Sequence, residues 1–306
     1  MAASASRDEV PFRPPTQLQL RFLDAVARIN GTDPLETGAV AFLSRITVQA
    51  NLPYRDPEAP SFERRNGRFT LTLHAPPAIG LPYGRYPRLL LAWIGQEAVR
   101  TRRRELRLGD SLTSFMAVLG VRGSGGRHGP LARFKDQARR LFATTISCAW
   151  TASDPSGTTE LEVGHRIASQ SVVWWTSRRQ DRATHAVVDG GWLLLSREFY
   201  DELLAHPVPV DYRALHALQA PLALDIYAWL TWRSHSLRRP LRLSWADLAT
   251  QFGTRTRRLR NFRAEFLKAL TRVRLVYPQA RVEATTEALF VRPARTHVLP
   301  RSHRRP

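Results

Sequence analysis

Two stretches of this chain run through the same order of elements, and that repeat constrains the fold more than any other feature. The first is "YPRLLLAWIGQEAVRTRRRELRLGDSLTSFMAVLG" and, after a glycine-rich loop, "LARFKDQARRLFATTISCAW". The second is "PLALDIYAWLTWRSHSLRRPLRLSWADLATQFG" and then "RRLRNFRAEFLKALTRVRLVYP". Each opens on a long apolar helix with a central tryptophan, Trp93 or Trp229. A basic connector leads into a short strand, Leu106-Arg107-Leu108 or Leu241-Arg242-Leu243. A short helix ending in glycine (Gly120, Gly253), a loop and a basic helix built on Phe and Leu follow. Units of this size exceed the roughly 20–50-residue periods of solenoids, so two copies of one domain are expected.

Each copy then ends on a β-hairpin. In the second it is "ARVEATTEALFVRP", with a polar turn near Thr285-Thr286. In the first the expected strands are "TISCAW" and "HRIASQSVVWW", joined by the turn-rich "TASDPSGTTE" at 151–160. Helix, strand, helix, turn, helix, strand, strand is the winged-helix plan. The expected fold class is therefore α+β: two tandem winged-helix domains, each a helix-turn-helix with a β-hairpin wing. They would occupy residues 76–205 and 206–306, behind a 1–75 segment that carries a tail and a helical and strand extension.

Local signals support these divisions. "TQLQLRFLDAVARI" places Leu18, Phe22, Val26 and Ile29 at helical spacing and ends at Asn30-Gly31. Phe69, Leu71 and Leu73 alternate after an Asn-Gly, as a strand after a tight turn does. Residues 76–87 are dense in Pro and Gly and read as a loop. A strand is expected over 192–195, with Ser196 capping a helix that carries Glu198 in its first turn. His206-Pro207-Val208-Pro209 cannot be helix interior, because proline removes a donor and pushes the preceding residue to extended forms. The boundary between the copies is placed there.

Charge narrows the partner. Forty-six Lys+Arg against twenty-six Asp+Glu give a net charge of +20. Only Lys135 and Lys268 are lysines, a skew that codon bias can explain, but codon bias does not explain basic over acidic residues. Such an excess points to a polyanion, with nucleic acid ahead of a membrane surface. Cys148 is the only cysteine, which rules out a disulfide framework and a cysteine-based zinc site. The N-terminus has no apolar stretch of the secretory kind, and the apolar run at 89–95 is far short of the ~20 residues of a membrane span. A cytoplasmic protein that does not bind membranes is expected.

The basic helix of the second copy states the partner's chemistry. Over 256–273, Leu259, Phe262, Phe266, Leu267, Leu270 and Val273 fall on one stripe. Arg257, Arg260, Asn261, Ala264, Lys268 and Thr271 lie opposite, with Glu265 the only acid, at the edge. Arginine can make bidentate contacts to guanine and asparagine to adenine, while nearby cations hold phosphates. Arg255, Arg257 and Arg258 at a helix start oppose the macrodipole, so helix stability does not explain them. A solvated surface face would mix signs instead. Arg255, Arg257, Arg258, Arg260, Asn261, Arg263 and Lys268 are the expected DNA-binding residues. The first copy's helix, 131–147, would bury Leu131, Phe134, Ala138, Leu141, Phe142 and Ile146. Its outer face offers Arg133 and Arg140 beside Asp136, with Arg122 and Arg127 in the preceding loop as phosphate contacts.

No catalytic or cofactor constellation stands out. "GVRGSGGRHG" lacks the lysine and hydroxyl of a phosphate loop. The nine histidines form no His-x-His or His-Glu-x-x-His, which weighs against a metal site and against a nicking relaxase. Asp211 and Asp225 are isolated and read as a cap or a surface charge. Trp174-Trp175, Trp229 and Trp232 could stack bases but fit core positions better. The expectation is a DNA-binding protein with no cofactor and no enzymatic activity.

"LPYGRYPRLLLAWIGQEAVRTRRREL", "SLTSFMAVLG", "RLFATTISC", "PVPVDYRALHAL" and "PLALDIYAWLTWR" together resemble the plasmid-encoded RepA replication initiator family, over a span from about Leu81 to about Val298. The resemblance implies two winged-helix domains that bind direct repeats (iterons) at a plasmid origin, help to open the duplex, and recruit the host initiator and replicative helicase. It implies a monomer on the repeats, a homodimer in an autoregulatory form, and base reading chiefly by 257–271. A transcriptional repressor without initiation activity is the alternative that residue chemistry alone leaves open.

Overall fold

The computed structural model describes residues 14–121, 129–154, 157–172, 191–253 and 258–299. The repeat is present in both its order and its sheet topology. The first copy runs α3 (Arg85–Thr101), β4 (Glu105–Gly109), α4 (Leu112–Val118), α5 (Pro130–Ala143) and, further on, β7 (Ala168–Val172) and β8 (Gly191–Leu195). The second runs α8 (Pro221–Ser236), β10 (Leu241–Ser244), α9 (Trp245–Phe252), α10 (Leu259–Val276), β11 (Val282–Ala284) and β12 (Ala288–Val291). The two small sheets have the orders β4-β8-β7 and β10-β12-β11. In each, the strand after the first helix pairs antiparallel with the last strand of the unit, Leu106 opposite Leu193 and Leu243 opposite Leu289.

The hairpin of the first copy differs from expectation. β5 (Thr145–Asp154) and β6 (Gly157–Arg166) are ten residues each and pair from Thr145↔Arg166 to Asp154↔Gly157. Most of "TASDPSGTTE" is thus strand, since Thr151, Thr158 and Thr159 are β-branched and suit a ladder better than a turn. This hairpin does not join β4. It extends the sheet β2-β3-β5-β6, and the strand completing the first copy's sheet is β8. Trp174-Trp175 lie outside the described residues.

The N-terminal segment is woven into this frame. α1 (Gln17–Gly31) starts at a capping box, with the Thr16 hydroxyl accepting from Gln19 N–H and the Gln19 side chain accepting from Thr16 N–H. β2 (Ser61–Asn66) turns into β3 (Phe69–His74) through Gly67, whose φ of 58° suits a tight hairpin turn. β3 pairs with β5, Phe69 opposite Trp150. β1 (Val40–Ser44) pairs antiparallel with β9 (Pro207–Asp211), and Pro207 and Pro209 are tolerated because this sheet has only two strands. Short helices follow β1 and β9, α2 (Arg45–Gln49) and α7 (Tyr212–Leu218), while α6 (Arg197–Ala205) begins at Ser196, which caps Phe199 N–H.

Aromatic side chains fill the two helical clusters. Trp93 meets Phe115 edge-on at 4.6 Å in the first copy, and Trp229 meets Phe252 at 5.5 Å in the second. Between α3 and α8 sits a charged contact. Arg88 donates from Nε and Nη2 to the two carboxylate oxygens of Asp225 at 2.7 Å each, and from its remaining hydrogens to the carbonyls of Gly84, Pro53 and Leu52. Both side chains are buried. Asp225 is therefore neither cap nor surface charge, whereas Asp211 is a cap, accepting from Arg213 N–H at the start of α7.

Candidate nucleic-acid interface

α10 separates its residues as the 3.6-residue period requires. Phe262, Phe266, Ala269, Leu270, Val273 and Val276 are buried, while Arg260, Asn261, Ala264, Lys268 and Thr271 are exposed on the other side. Glu265 is the only acid of the helix. The helix starts at Leu259, three residues later than its apolar pattern suggested. Arg258 is accordingly the N-cap residue, and it caps with no side-chain hydrogen bond. Leu259 leaves the core stripe and is 46% exposed, because as the first helical residue it lies beyond the end of the packed surface. Arg255 and Arg257 lie outside the described residues. Arg263 is half-buried on the flank, its guanidinium 5.5 Å above the Trp245 ring.

The approach to this helix is braced from the N-terminal segment. Arg64 of β2 reaches Gly253, donating from Nη2 to its carbonyl at 3.4 Å, and Gly253 adopts φ 41°. A β-carbon at Gly253 would collide with the Arg64 guanidinium. Two residues before Gly253 the support continues: the Gln49 carbonyl accepts from both Asn66 at 2.8 Å and Gln251 at 3.2 Å, tying β2 and α9 to the same point. Residues before position 75 thus position the C-terminal basic helix, a role with no local sequence signal.

The corresponding helix of the first copy, α5, ends at Ala143, so Ile146 belongs to β5. Phe134, Gln137, Ala138, Leu141 and Phe142 are buried, Leu131 is half-buried, and Arg133 and Arg139 are exposed beside Asp136. Arg140 is placed differently from expectation. Its side chain is only 17% exposed, and it pairs with Asp56 at 2.8 Å and Asp136 at 2.9 Å while also donating to the Leu81 carbonyl. Two carboxylates and the Tyr83 ring, 5.3 Å below, draw it inward as a brace between α5 and two loops. Arg122 and Arg127 lie outside the described residues.

The remaining chemistry is sparse. Among the described residues no group of three or more His, Cys, Asp or Glu could hold a metal ion. Cys148 is buried and burial pushes its thiol up to about 12, so it is not a thiolate at neutral pH. No described helix is long and apolar enough to cross a membrane. Burial lowers His297 to about 4. The Tyr227 hydroxyl, which accepts from Asp211 N–H at 2.9 Å, lies 2.6 Å from His297 Nδ1 and has one proton to give, which suits a neutral ring.

A basic α+β chain with two copies of one topology and a cationic helix face has the make-up of a protein that handles nucleic acid. The family model described as plasmid-encoded RepA protein matches residues 81–246, and the chain belongs to that family of plasmid replication initiators. Among solved structures, RctB domains 2–3 share 14% identity with a TM-score of 0.47, covering 81% of this chain and 96% of that one. Selenomethionine derivatives of domains 2 and 3 of RctB share 13% identity with a TM-score of 0.49, covering 81% and 95%. No curated protein matches in sequence.

Proposed function

We propose that this protein initiates plasmid replication by binding direct repeats at the origin, with each sheet-bearing copy acting as a winged-helix domain and α10 as the principal base-reading helix. The observation that carries the reading is the exposed face of α10, where Arg258, Arg260, Asn261 and Lys268 combine base-reading and phosphate-holding types with a single acid at the edge. The hairpin β11–β12, and β7 with β8 in the first copy, would serve as wings beside the DNA backbone. In this reading α5 contributes through Arg133 and the loop arginines, with less base reading because Asp136 shares its face.

The protein acts without catalysis of its own. Binding energy from several protomers strains the duplex, and the host initiator and replicative helicase are recruited to the opened origin. A monomer occupies the repeats and a homodimer represses its own gene. Footprinting on DNA flanking the gene is expected to protect close to two helical turns, about 20 base pairs, per protomer. With about 8 phosphate contacts, log K is expected to fall with log salt at a slope near −7, and a slope near −2 would rule out tandem engagement. The competing reading, a repressor without initiation activity, is separated by supplying the gene in trans. Maintenance of an origin-bearing plasmid supports initiation, and repression without maintenance supports the competitor.

A further inference from the structure

A wide concave surface lies away from the exposed face of α10. α1 forms one wall of an open cleft of about 960 Å³, and the end of α7 with the residues leading into α8 forms the other. The α1 wall is apolar at Leu18, Phe22 and Ala25, and Leu18 is 71% exposed. Among the described residues the cations that line it are Arg21, Arg28, Arg85, Arg213 and Arg272, and no aspartate or glutamate does. Arg213 is matched by Asp211 at 2.7 Å. Among the described residues the others make no ion pair: Arg85 donates to Gln219 Oε1, Arg272 lies 4.5 Å over the Phe22 ring, and Arg21 and Arg28 are exposed.

We propose that this cleft docks an acidic amphipathic helix of a partner protein. Its apolar residues would seat on Leu18, Phe22 and Ala25, and flanking carboxylates would meet Arg21, Arg28, Arg85 and Arg272. Charge complementarity selects an acidic ligand, and the exposed leucine and half-buried phenylalanine select one with an apolar stripe, the helix-in-groove mode of recognition. A nucleic-acid backbone would satisfy the arginines but leave Leu18 without an apolar partner. Arg272 lies twelve residues from Arg260, about 18 Å along α10, so the cleft can be filled while the outer face of α10 is engaged. The inference is independent of the DNA-binding reading.

The probe is a labelled peptide of about 16 residues, with leucines at i, i+3, i+4 and i+7 and glutamates between them, titrated with the full chain at about 0.15 M salt while anisotropy is read. Binding is expected to weaken about tenfold or more in Arg21→Glu/Arg28→Glu and in Leu18→Asp, and to be unchanged in Arg260→Ala. All four substituted positions are exposed, and an unaltered unfolding transition verifies that each variant folds. A peptide of the same composition without the leucine spacing is expected to bind about tenfold more weakly. Equal binding of the two peptides would reduce the effect to general attraction by a chain of charge +20 and overturn the proposal. So would wild-type affinity in the folded Leu18→Asp variant. A single-stranded oligonucleotide that loses binding in Leu18→Asp, where the peptide does not, would reassign the cleft to nucleic acid.

Discussion

Arg88 and Asp225 carry opposite charges into the contact between the two copies, where neither could remain alone. Burial pushes the Asp225 carboxyl above its ordinary range, against the pull of the Arg88 guanidinium that stabilises its charged form. Removing one partner of such a pair typically costs ~3–5 kcal/mol, because the other is left buried and unpaired. Asp225→Ala is expected to fall in that range by urea denaturation. Arg88→Ala is expected to cost at least as much, since it also leaves the Leu52, Pro53 and Gly84 carbonyls without their donor. The double variant is expected to lose less than the sum of the two, which a double-mutant cycle measures.

His297 makes a second prediction at this scale. Its folded pKa of about 4 lies below the ordinary 6.5, with burial lowering it and Arg213 assisting, while Asp211 raises it. Between those values the unfolded chain takes up a proton that the folded chain refuses, so stability is present above about pH 6.5 and is lost as pH falls towards 4. The window amounts to about 3 kcal/mol. His297→Phe is expected to flatten the dependence of unfolding free energy on pH across that window. An unchanged slope would mean that His297 titrates normally.

At the scale of elements, α10 was legible because its pattern is periodic. Phe262, Phe266, Leu270 and Val273 recur at the helical repeat, and burial follows them. Its start was not, because a run of arginines carries no cap and the first turn packs on nothing that composition reveals. α5 shows the other limit. Arg140 lies on the arc that periodicity assigns to solvent, yet Asp56, 84 residues earlier, pulls it in. The two helices therefore give opposite expectations. Arg260→Ala and Asn261→Ala are each expected to cost ~1–3 kcal/mol in binding to the cognate repeat, with folding stability unchanged. Arg140→Ala is expected to lower the unfolding midpoint and leave binding by the folded fraction nearly intact. Parallel thermal melts and DNA titrations distinguish the two patterns.

For the molecule as a whole, residues 40–74 are not an appendage. Among the described residues β1 is the partner strand of β9, β3 is the inner neighbour of β5, and Arg64 and Gln49 support the entrance to α10. At Gly95 in α3 the helix runs so close to β1 that a β-carbon would collide with the Phe42 carbonyl. A chain starting at residue 76 is expected to lose cooperative unfolding and to collect in the insoluble fraction. Cooperative melting of that fragment would show that the N-terminal segment is dispensable for folding.

The sequence by itself determined the repeated order of elements, the apolar and cationic faces of α10, and the family, because periodicity, turn residues and charge are local properties. Only the tertiary structure decided which strands pair and which charges are spent internally. The expected hairpin of "TISCAW" with "HRIASQSVVWW" would have completed the first copy's sheet, but β5 pairs with β3 and β6 instead, and β4 is left to β8. Likewise nothing near Arg88 in the chain predicts Asp225, 137 residues away. A buried guanidinium is set by whichever carboxylate the packing brings within reach, and that is a property of the assembled core.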